Sequence, residues 1–202
     1  VQTENYLIFL ICGIIPWTWF TNVISQGTTC VTNNANLIKK VYFPREILPI
    51  SIVTSGLINF LISCVIILIF VLFSGCGISW HLIFLPFIAI IQYVISLAII
   101  FLLSAFNVYV KDVEYMVMFI INLFFYATPV LYSTEMFQGT WMIWLFRLNP
   151  MAHLINAYRD IFYIHRIPEL GNLTFLLGIG IVILIICYKI FKKLEKRFAE
   201  EI

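Results

Sequence analysis

The sequence predicts an all-α protein that crosses a membrane several times. Hydrophobic residues make up 62% of its 202 residues and charged residues only 11%, whereas roughly a quarter of the residues in a soluble domain are charged. The mean hydropathy is +1.03, and the charged residues are confined to short stretches with long uncharged runs between them. A water-soluble core is therefore excluded, and a net charge of +2 is too small to indicate nucleic-acid binding.

Five uncharged runs are long enough to cross a bilayer. A hydrocarbon core about 30 Å thick needs roughly 20 apolar helical residues. Prolines inside the runs, such as Pro16 and Pro129, are tolerated in membrane helices and are expected to kink them rather than end them. We interpret residues 1–202 as a single transmembrane domain. Its predicted spans, which contain no Asp, Glu, Lys or Arg, are residues 6–26, 47–73, 81–106, 116–133 and 171–188.

The basic residues predict the orientation of these spans. Lysine and arginine collect on the cytoplasmic side of membrane proteins. If the C-terminus is cytoplasmic, nine of the twelve lysine and arginine residues lie inside, and only Arg147, Arg159 and Arg166 lie outside. Five spans then leave residues 1–5 outside, so a cytoplasmic N-terminus requires one more span upstream.

The outer segment from Thr134 to Leu170 predicts a re-entrant hairpin. Residues 136–146 are apolar, but as a helix they would extend only about 16 Å. Asn149 followed by Pro150 is typical of a helix start and predicts a second short helix of about 14 residues. Short helices at membrane depth occur only where they are buried in protein or line a wet cavity, so this segment indicates a pathway.

The spans lack the side chains that membrane proteins use for chemistry. Proton relays and intramembrane catalysis need ionisable or metal-binding groups at membrane depth. The predicted spans contain no Asp, Glu, Lys or Arg, and their one histidine, His81, lies at a helix end. The chain has no Gly-x-x-x-x-Gly-Lys-Ser/Thr motif, and its five cysteines lack metal-ligand spacing. We expect no catalytic residue, cofactor site or metal site here, and we expect any driving energy to come from a partner subunit.

An amphipathic segment between the first two spans is suited to contact such a partner. In residues 34–46, Pro44 disfavours helix at the residue before it. The apolar side chains predicted to share one helical face are Leu37, Ile38, Val41 and Tyr42. From this pattern alone, a helix lying on the anionic inner leaflet is as good an interpretation as a docking helix.

Six motifs, in order along the chain, resemble one protein family. NANLIKKVYFPREILPIS at 34–51 is similar to the first cytoplasmic loop of permease subunits of type-2 ABC exporters for lipid-linked polysaccharides, such as teichoic acid, O-antigen and capsule chains. The other motifs are LICGIIPWTWF at 10–20, AFNVYVKDVEY at 105–115, FYATPVLYS at 125–133, LNPMAHLINAYRD at 148–160 and KLEKRFAEEI at 193–202. The resemblance covers essentially the whole chain, but the family's N-terminal interface helix and first transmembrane helix are missing, in agreement with the charge pattern.

The resemblance implies a permease subunit in the bacterial cytoplasmic membrane that forms a homodimer above two ATP-binding subunits, which carry the ATP and Mg²⁺. Closure of those subunits would act through cytoplasmic loops on a central conduit for a lipid-linked polysaccharide. The implied ATPase-coupling residues are Leu37, Ile38, Lys39, Lys40, Tyr42, Phe43, Pro44, Arg45, Glu46, Lys111, Asp112 and Glu114.

The same resemblance implies that residues 135–165 form short gating helices at the exit. Arg159 would then pair with another group, meet a phosphate on the emerging substrate or snorkel toward the lipid interface, and the sequence leaves these alternatives open. The implied outer-gate residues are Trp141, Trp144, Asn149, Pro150, Tyr158, Arg159 and Asp160.

Aromatic residues, 17% of the chain, serve membrane anchoring, helix packing or stacking on sugars. Rings at the predicted membrane boundaries are interpreted as anchors: Trp80, Trp141 and Trp144 outside and Tyr42, Tyr109 and Tyr115 inside. Candidate conduit residues are Trp17, Trp19, Tyr93, Tyr126 and Tyr132. Packing between helices is an equal alternative for Trp17, Trp19 and Tyr126, because one sequence does not show which face meets the dimer axis.

Two other functions remain open at this point. The same scaffold could export a drug, an antibiotic or another small lipid-like molecule, for which a narrow, dry interface is expected. A non-transporting membrane scaffold protein would insert stably without nucleotide-dependent association with an ATPase.

Overall fold

The computed structural model describes residues 6–40, 43–73, 79–132 and 146–201, and every regular element in these segments is helical. The prediction of an all-α, multi-span membrane protein is confirmed. Short 3₁₀ turns at Trp80–Phe84 and Glu195–Arg197 precede α4 and α8, and a π-helical turn at Asp160–Ile164 follows α6. The helices are α1 (Tyr6–Asn33), α2 (Ala35–Lys40), α3 (Ile47–Phe73), α4 (Leu85–Tyr109), α5 (Val113–Ala127), α6 (Pro150–Arg159), α7 (Leu170–Leu194) and α8 (Phe198–Glu201).

Four of the five predicted spans form helices of spanning length. Together with their short flanking turns they cover Tyr6–Lys40, Ile47–Leu72, Trp80–Tyr109 and Leu170–Arg197. Helices α1 and α7 continue beyond the predicted span ends at residues 26 and 188, to Asn33 and Leu194. Helix α3, in contrast, has the predicted bounds, Ile47–Phe73.

The predicted span at 116–133 is corrected. Its helix, α5, has 15 residues, or about 22 Å at 1.5 Å per residue, which is shorter than the hydrocarbon core. Helix ends at Ala127 because Thr128, with φ −110° and ψ 135°, is extended, as the residue before a proline prefers to be. A count of five membrane-spanning helices is therefore not confirmed, and Pro129 does not lie inside a helix.

Helices α1 and α4 form the centre of the bundle. More than half of the spanning residues in each are buried, against fewer than a quarter in α3 and α7. Helix α4 packs against α1, α3 and α7, and α1 packs against α3. Glycines allow close approach on both sides of α1: a Cβ on Gly27 would lie 2.6 Å from Ile100 of α4, and one on Gly56 of α3 would lie 2.2 Å from Val23.

A buried hydrogen bond joins the two central helices. Pro16 lies inside α1, which continues through it as predicted. The side-chain amide of Gln92 on α4 donates to the carbonyl oxygen of Pro16 at 2.9 Å. Because Gln92 is fully buried, this bond fixes the two helices relative to each other at membrane depth.

The second half of the predicted outer hairpin is present. Helix α6 begins where it was expected, with the Asn149 side chain accepting from the backbone N–H of Met151 at 2.9 Å and Pro150 in the first turn. The helical path ends at His165, whose φ of 58° is left-handed. Most of the first half of the hairpin, including Trp141 and Trp144, lies outside the described residues.

Candidate coupling and gating sites

The predicted coupling segment is a short helix followed by a turn. Helix α2 buries Ile38, whereas Leu37 is 44% exposed, so these neighbours do not share one packed face as predicted. Val41 and Tyr42 lie outside the described residues. The segment continues through half-buried Phe43 and exposed Pro44 into α3, with Lys39 and Lys40 on its exposed side.

The C-terminal segment is attached to this loop by charged groups. The ammonium group of Lys192 on α7 lies 2.5 Å from a carboxylate oxygen of Glu46 and 3.0 Å from one of Glu195. Arg45 donates to the backbone carbonyl of Glu195, and its guanidinium lies 6.0 Å from the ring centre of buried Phe198. These contacts hold the tail against the predicted coupling segment.

Glu46 is ionised in this arrangement. Burial opposes its charge and is the largest single influence, but the hydrogen bond from Lys192, a backbone hydrogen bond and the Lys192 charge together outweigh it and lower the pKa of Glu46 below its usual value. A cleft of about 680 Å³ opens beside this ion pair. Five basic side chains and two acidic ones line it, which makes the cleft positively charged: Lys39, Lys40, Arg45, Lys192 and Lys196 with Glu46 and Glu195.

The C-terminal end of α4 connects both predicted coupling loops to the tail. Asn107, only 1% exposed, donates to the Thr32 hydroxyl at 3.4 Å and accepts from the backbone N–H of Glu114 at 3.2 Å. Tyr109 donates to the carbonyl oxygen of Leu194 at 3.0 Å. Sequence reasoning missed Asn107; the only signal was an amide near the end of an apolar helix.

The second predicted coupling contact lies at the start of α5. Lys111 and Asp112 are exposed, and Glu114 is half-buried with its backbone held by Asn107. The structure thus leaves Lys111 and Asp112 accessible at a surface while fixing the backbone behind them.

Arg159 holds the outer segment together. Its side chain is 3% exposed and donates to the carbonyl oxygens of Pro129 at 2.7 Å, Val130 at 2.6 Å and Tyr132 at 3.3 Å. It also lies 3.7 Å from the ring centre of Phe9. The snorkelling alternative is wrong, because the guanidinium points into the protein and satisfies carbonyls that the end of α5 leaves without helical partners.

Close packing against α1 accompanies this network. A Cβ on Gly13 would lie 2.6 Å from the Val130 oxygen and 2.8 Å from an Arg159 nitrogen. A charged side chain is therefore buried beside the first turns of a spanning helix, which the uncharged sequence of α1 did not indicate.

Asn149, besides capping α6, ties that helix to the end of α5. Its amide donates to the Thr128 hydroxyl at 2.8 Å.

Asp160, 4% exposed, pairs with Arg166 at 2.7 Å. Burial raises the pKa of Asp160, and the hydrogen bond from Arg166 offsets part of that rise. Tyr158 is fully buried and packs on the Phe60 ring at 5.4 Å, so it belongs to the core rather than to an open gate surface.

The candidate conduit residues separate into two groups. Trp17, 5% exposed, packs 5.8 Å from the rings of Phe20 and Phe125, in agreement with the alternative that it packs between helices. Trp19, equally buried, stacks on Phe60 at 4.5 Å.

The three candidate tyrosines are more accessible. Tyr126 is 74% exposed on α5, and Tyr132 donates to its backbone oxygen at 2.7 Å. Tyr93 is half-buried and lies 3.0 Å from the Thr54 hydroxyl.

Comparison with known proteins places this architecture in a family. A family model described as ABC-2 type transporter matches residues 2–163. The O-antigen export system permease protein RfbA of Myxococcus xanthus is 34% identical over 199 residues, which cover 98% of this chain and 76% of that protein. A protein of the same name from Klebsiella pneumoniae is 34% identical over 201 residues, covering 99% and 77%. Because the family model covers more than half of the chain and the relatives match almost all of it, the chain belongs to the ABC-2 type transporter family.

Proposed function

We propose that this chain is the permease subunit of an ATP-driven exporter that carries a lipid-linked polysaccharide of the O-antigen, teichoic acid or capsule type across the bacterial cytoplasmic membrane. The observation that carries this proposal is the 34% identity, over almost the entire chain, to permeases named for O-antigen export. Two copies of the permease form the conduit, and separate ATP-binding subunits hold ATP and Mg²⁺.

The chemistry of the helices supports an external source of energy. The uncharged runs offer no acid or base for an ion-coupled cycle. Arg159, a buried cation on the proposed outer side, has its guanidinium occupied by backbone carbonyls. This chain itself is not an enzyme in the proposed mechanism.

The motion of the ATP-binding subunits is transmitted to the permease through its cytoplasmic loops. The segment around Arg45 and Glu46 and the start of α5 around Lys111 and Asp112 dock on the ATP-binding subunit. Asn107 and the tail residue Lys192 join these surfaces to α4 and α7. Closure of the ATP-binding subunits therefore moves both loops together with the central helix α4.

Release of the cargo occurs at the outer segment. Arg159 and Asn149 connect the extended residues 128–132 to α6. This connection makes α5, the extended residues and α6 one gate that moves as a unit. The C-terminus and its basic residues lie in the cytoplasm.

Deletion and complementation test the function directly. Deleting the permease gene is expected to remove the long-chain polysaccharide from the cell surface and to accumulate its lipid-linked form inside the cell. Complementation with the wild-type gene should restore export only when the partner ATPase is active. Normal surface polysaccharide with altered efflux of small lipid-like drugs would instead identify the second type of exporter, and restoration with an inactive ATPase would indicate a scaffold.

A further inference from the structure

A polar groove runs between α1 and α3 at membrane depth. It encloses about 140 Å³. Its rim carries uncharged hydrogen-bonding side chains from both helices: Thr18, Asn22 and Gln26 of α1 and Ser55, Asn59 and Ser63 of α3. Each set repeats every four residues, so each forms a ladder along one helix face, roughly 12 Å long.

The amides of this groove have no hydrogen-bond partner among the residues that the structure describes. The hydroxyls of Thr18 and Ser63 donate to backbone carbonyls of their own helices, as such side chains do in membranes. Asn22, Gln26 and Asn59 are exposed, and their amide groups make no hydrogen bond within the described segments. Facing hydrocarbon would cost roughly 2–7 kcal/mol for each amide, so lipid tails are a poor neighbour for this surface.

The floor of the groove is aromatic and contains a donor. Trp19 and Phe60 stack at 4.5 Å with an angle of 20° between their rings. The Trp19 side chain is 95% buried, being 5% exposed, and its indole N–H finds no acceptor among the described residues. This nitrogen lies beside Gly56, where a Cβ would approach it to 2.9 Å, and both residues line the groove.

We propose that this groove binds the sugar chain of the cargo, as a subsite for a neutral, hydroxyl-rich polymer. Amide and hydroxyl groups bond sugar hydroxyls, and the indole N–H of Trp19 at the floor, which has no acceptor among the described residues, offers a further donor. The lining has no cation to select a phosphate, and its amides disfavour an acyl chain. This inference rests on the proposed function, because it assigns one surface of the conduit to the cargo.

Evenly spaced neutral groups suit a chain that must move. Each polar side chain of the ladders offers a similar, weak hydrogen bond. The sugar chain can therefore exchange one set of partners for the next without being bound tightly at any one position. A charged lining would hold the polymer at one position.

The first test removes the amides. In cells that depend on this permease and its ATPase, Asn22→Leu and Asn59→Leu, separately and together, are expected to lower polysaccharide export, by tenfold or more for the pair. Association with the ATPase and basal ATP hydrolysis should stay normal. Asn172→Leu, the same substitution at an exposed position of α7 outside the groove, should export normally. Normal export by the double variant would overturn the groove assignment but leave the proposed function intact, whereas absence of polysaccharide export by the wild-type permease would refute the proposed function itself.

A second test does not depend on the substituted protein exporting cargo. Asn22→Cys should react with a hydrophilic maleimide and should be protected when an inactive ATPase leaves the cell's own lipid-linked polysaccharide stalled in the permease. Ile66→Cys, at an exposed apolar position of α3, should not react. If Asn22→Cys is as unreactive as Ile66→Cys, protein or lipid covers the groove and the inference is wrong. Labelling that a stalled polysaccharide does not reduce would equally contradict it.

Discussion

Arg159 explains how the irregular backbone of residues 128–132 is stabilised. Residues 128–132 are not helical, and their carbonyls would be costly to bury without donors. A guanidinium offers five donors in a planar fork, and here it bonds three successive or near-successive carbonyls. A lysine has the same charge but a single point of donation, so it cannot replace this geometry.

Substitution of this arginine should destabilise the protein itself. Arg159→Leu leaves buried carbonyls without donors, at roughly 1–3 kcal/mol each, and we expect a loss of about 2–4 kcal/mol. The measurement is the midpoint of thermal unfolding of the detergent-purified protein. Arg197→Leu, the same change at an exposed arginine, is the control and should change the midpoint little. Equal midpoints for the two variants would show that Arg159 does not support the backbone.

Local residue patterns predicted some of these features and not others. Asn149–Pro150 was identified as a helix start because capping is decided by neighbours in sequence. Pro16 and Pro129 look alike in sequence, yet α1 continues through Pro16 and the chain is extended around Pro129. The difference is tertiary: Gln92 bonds the Pro16 carbonyl, and Arg159 bonds the Pro129 carbonyl, which no local pattern reveals.

At the scale of elements, the tail and the segment around Arg45 and Glu46 form one unit. Glu46, Lys192 and Glu195 make a chain of charged contacts, and Phe198 is buried against Tyr109 and Phe191. The amphipathic pattern of residues 34–46 fitted a docking helix and a helix on the inner leaflet equally well, and the family resemblance favoured docking. The pattern gave no sign that Arg45 bonds Glu195, 150 residues later, because such a contact depends on which helices become neighbours.

A charge swap tests this attachment. Glu46→Lys should weaken the hold of the tail on the coupling loop and lower the fraction of ATP-binding subunit that co-purifies with the permease. The effect should be modest, since a partly exposed pair contributes up to about 1 kcal/mol, or roughly fivefold in an equilibrium. Adding Lys192→Glu should restore the interaction.

Lys189→Glu provides the matched control for the swap, because Lys189 is exposed on the same helix one turn earlier. It should leave co-purification near the wild-type value. Failure of the double variant to recover, with both single variants equally impaired, would show that the Glu46–Lys192 contact is not what joins the two elements.

At the scale of the whole molecule, the hydrophobic runs predicted the positions of the spanning helices well. They did not predict which face of each helix is buried against its neighbours. Burial of Trp17 against Phe125 and stacking of Trp19 on Phe60 depend on which helices become neighbours. Apolar residues surround these spans on most sides, so the hydrophobic periodicity that identifies the core face of a soluble helix is absent here. The polar ladders of α1 and α3 are the clearest remaining sign of orientation within the bundle.

The proposed orientation makes a direct prediction for α7, whose two ends should face opposite sides of the membrane. Asn172→Cys should react with a membrane-impermeant maleimide in intact cells, whereas Lys193→Cys should react only after permeabilisation. The four described native cysteines are buried and should give little background. Labelling of Lys193→Cys in intact cells would reverse the proposed topology.

Transport in reconstituted vesicles tests the central claim that this permease moves its cargo only when an ATP-hydrolysing partner drives the cytoplasmic loops. The measurement is the amount of lipid-linked polysaccharide moved across the bilayer by the permease, with and without its ATPase, under an imposed proton or sodium gradient. The account predicts transport that requires the active ATPase and ATP and that persists when the gradients are collapsed. Movement of polysaccharide by the permease alone, driven by an ion gradient, would contradict it.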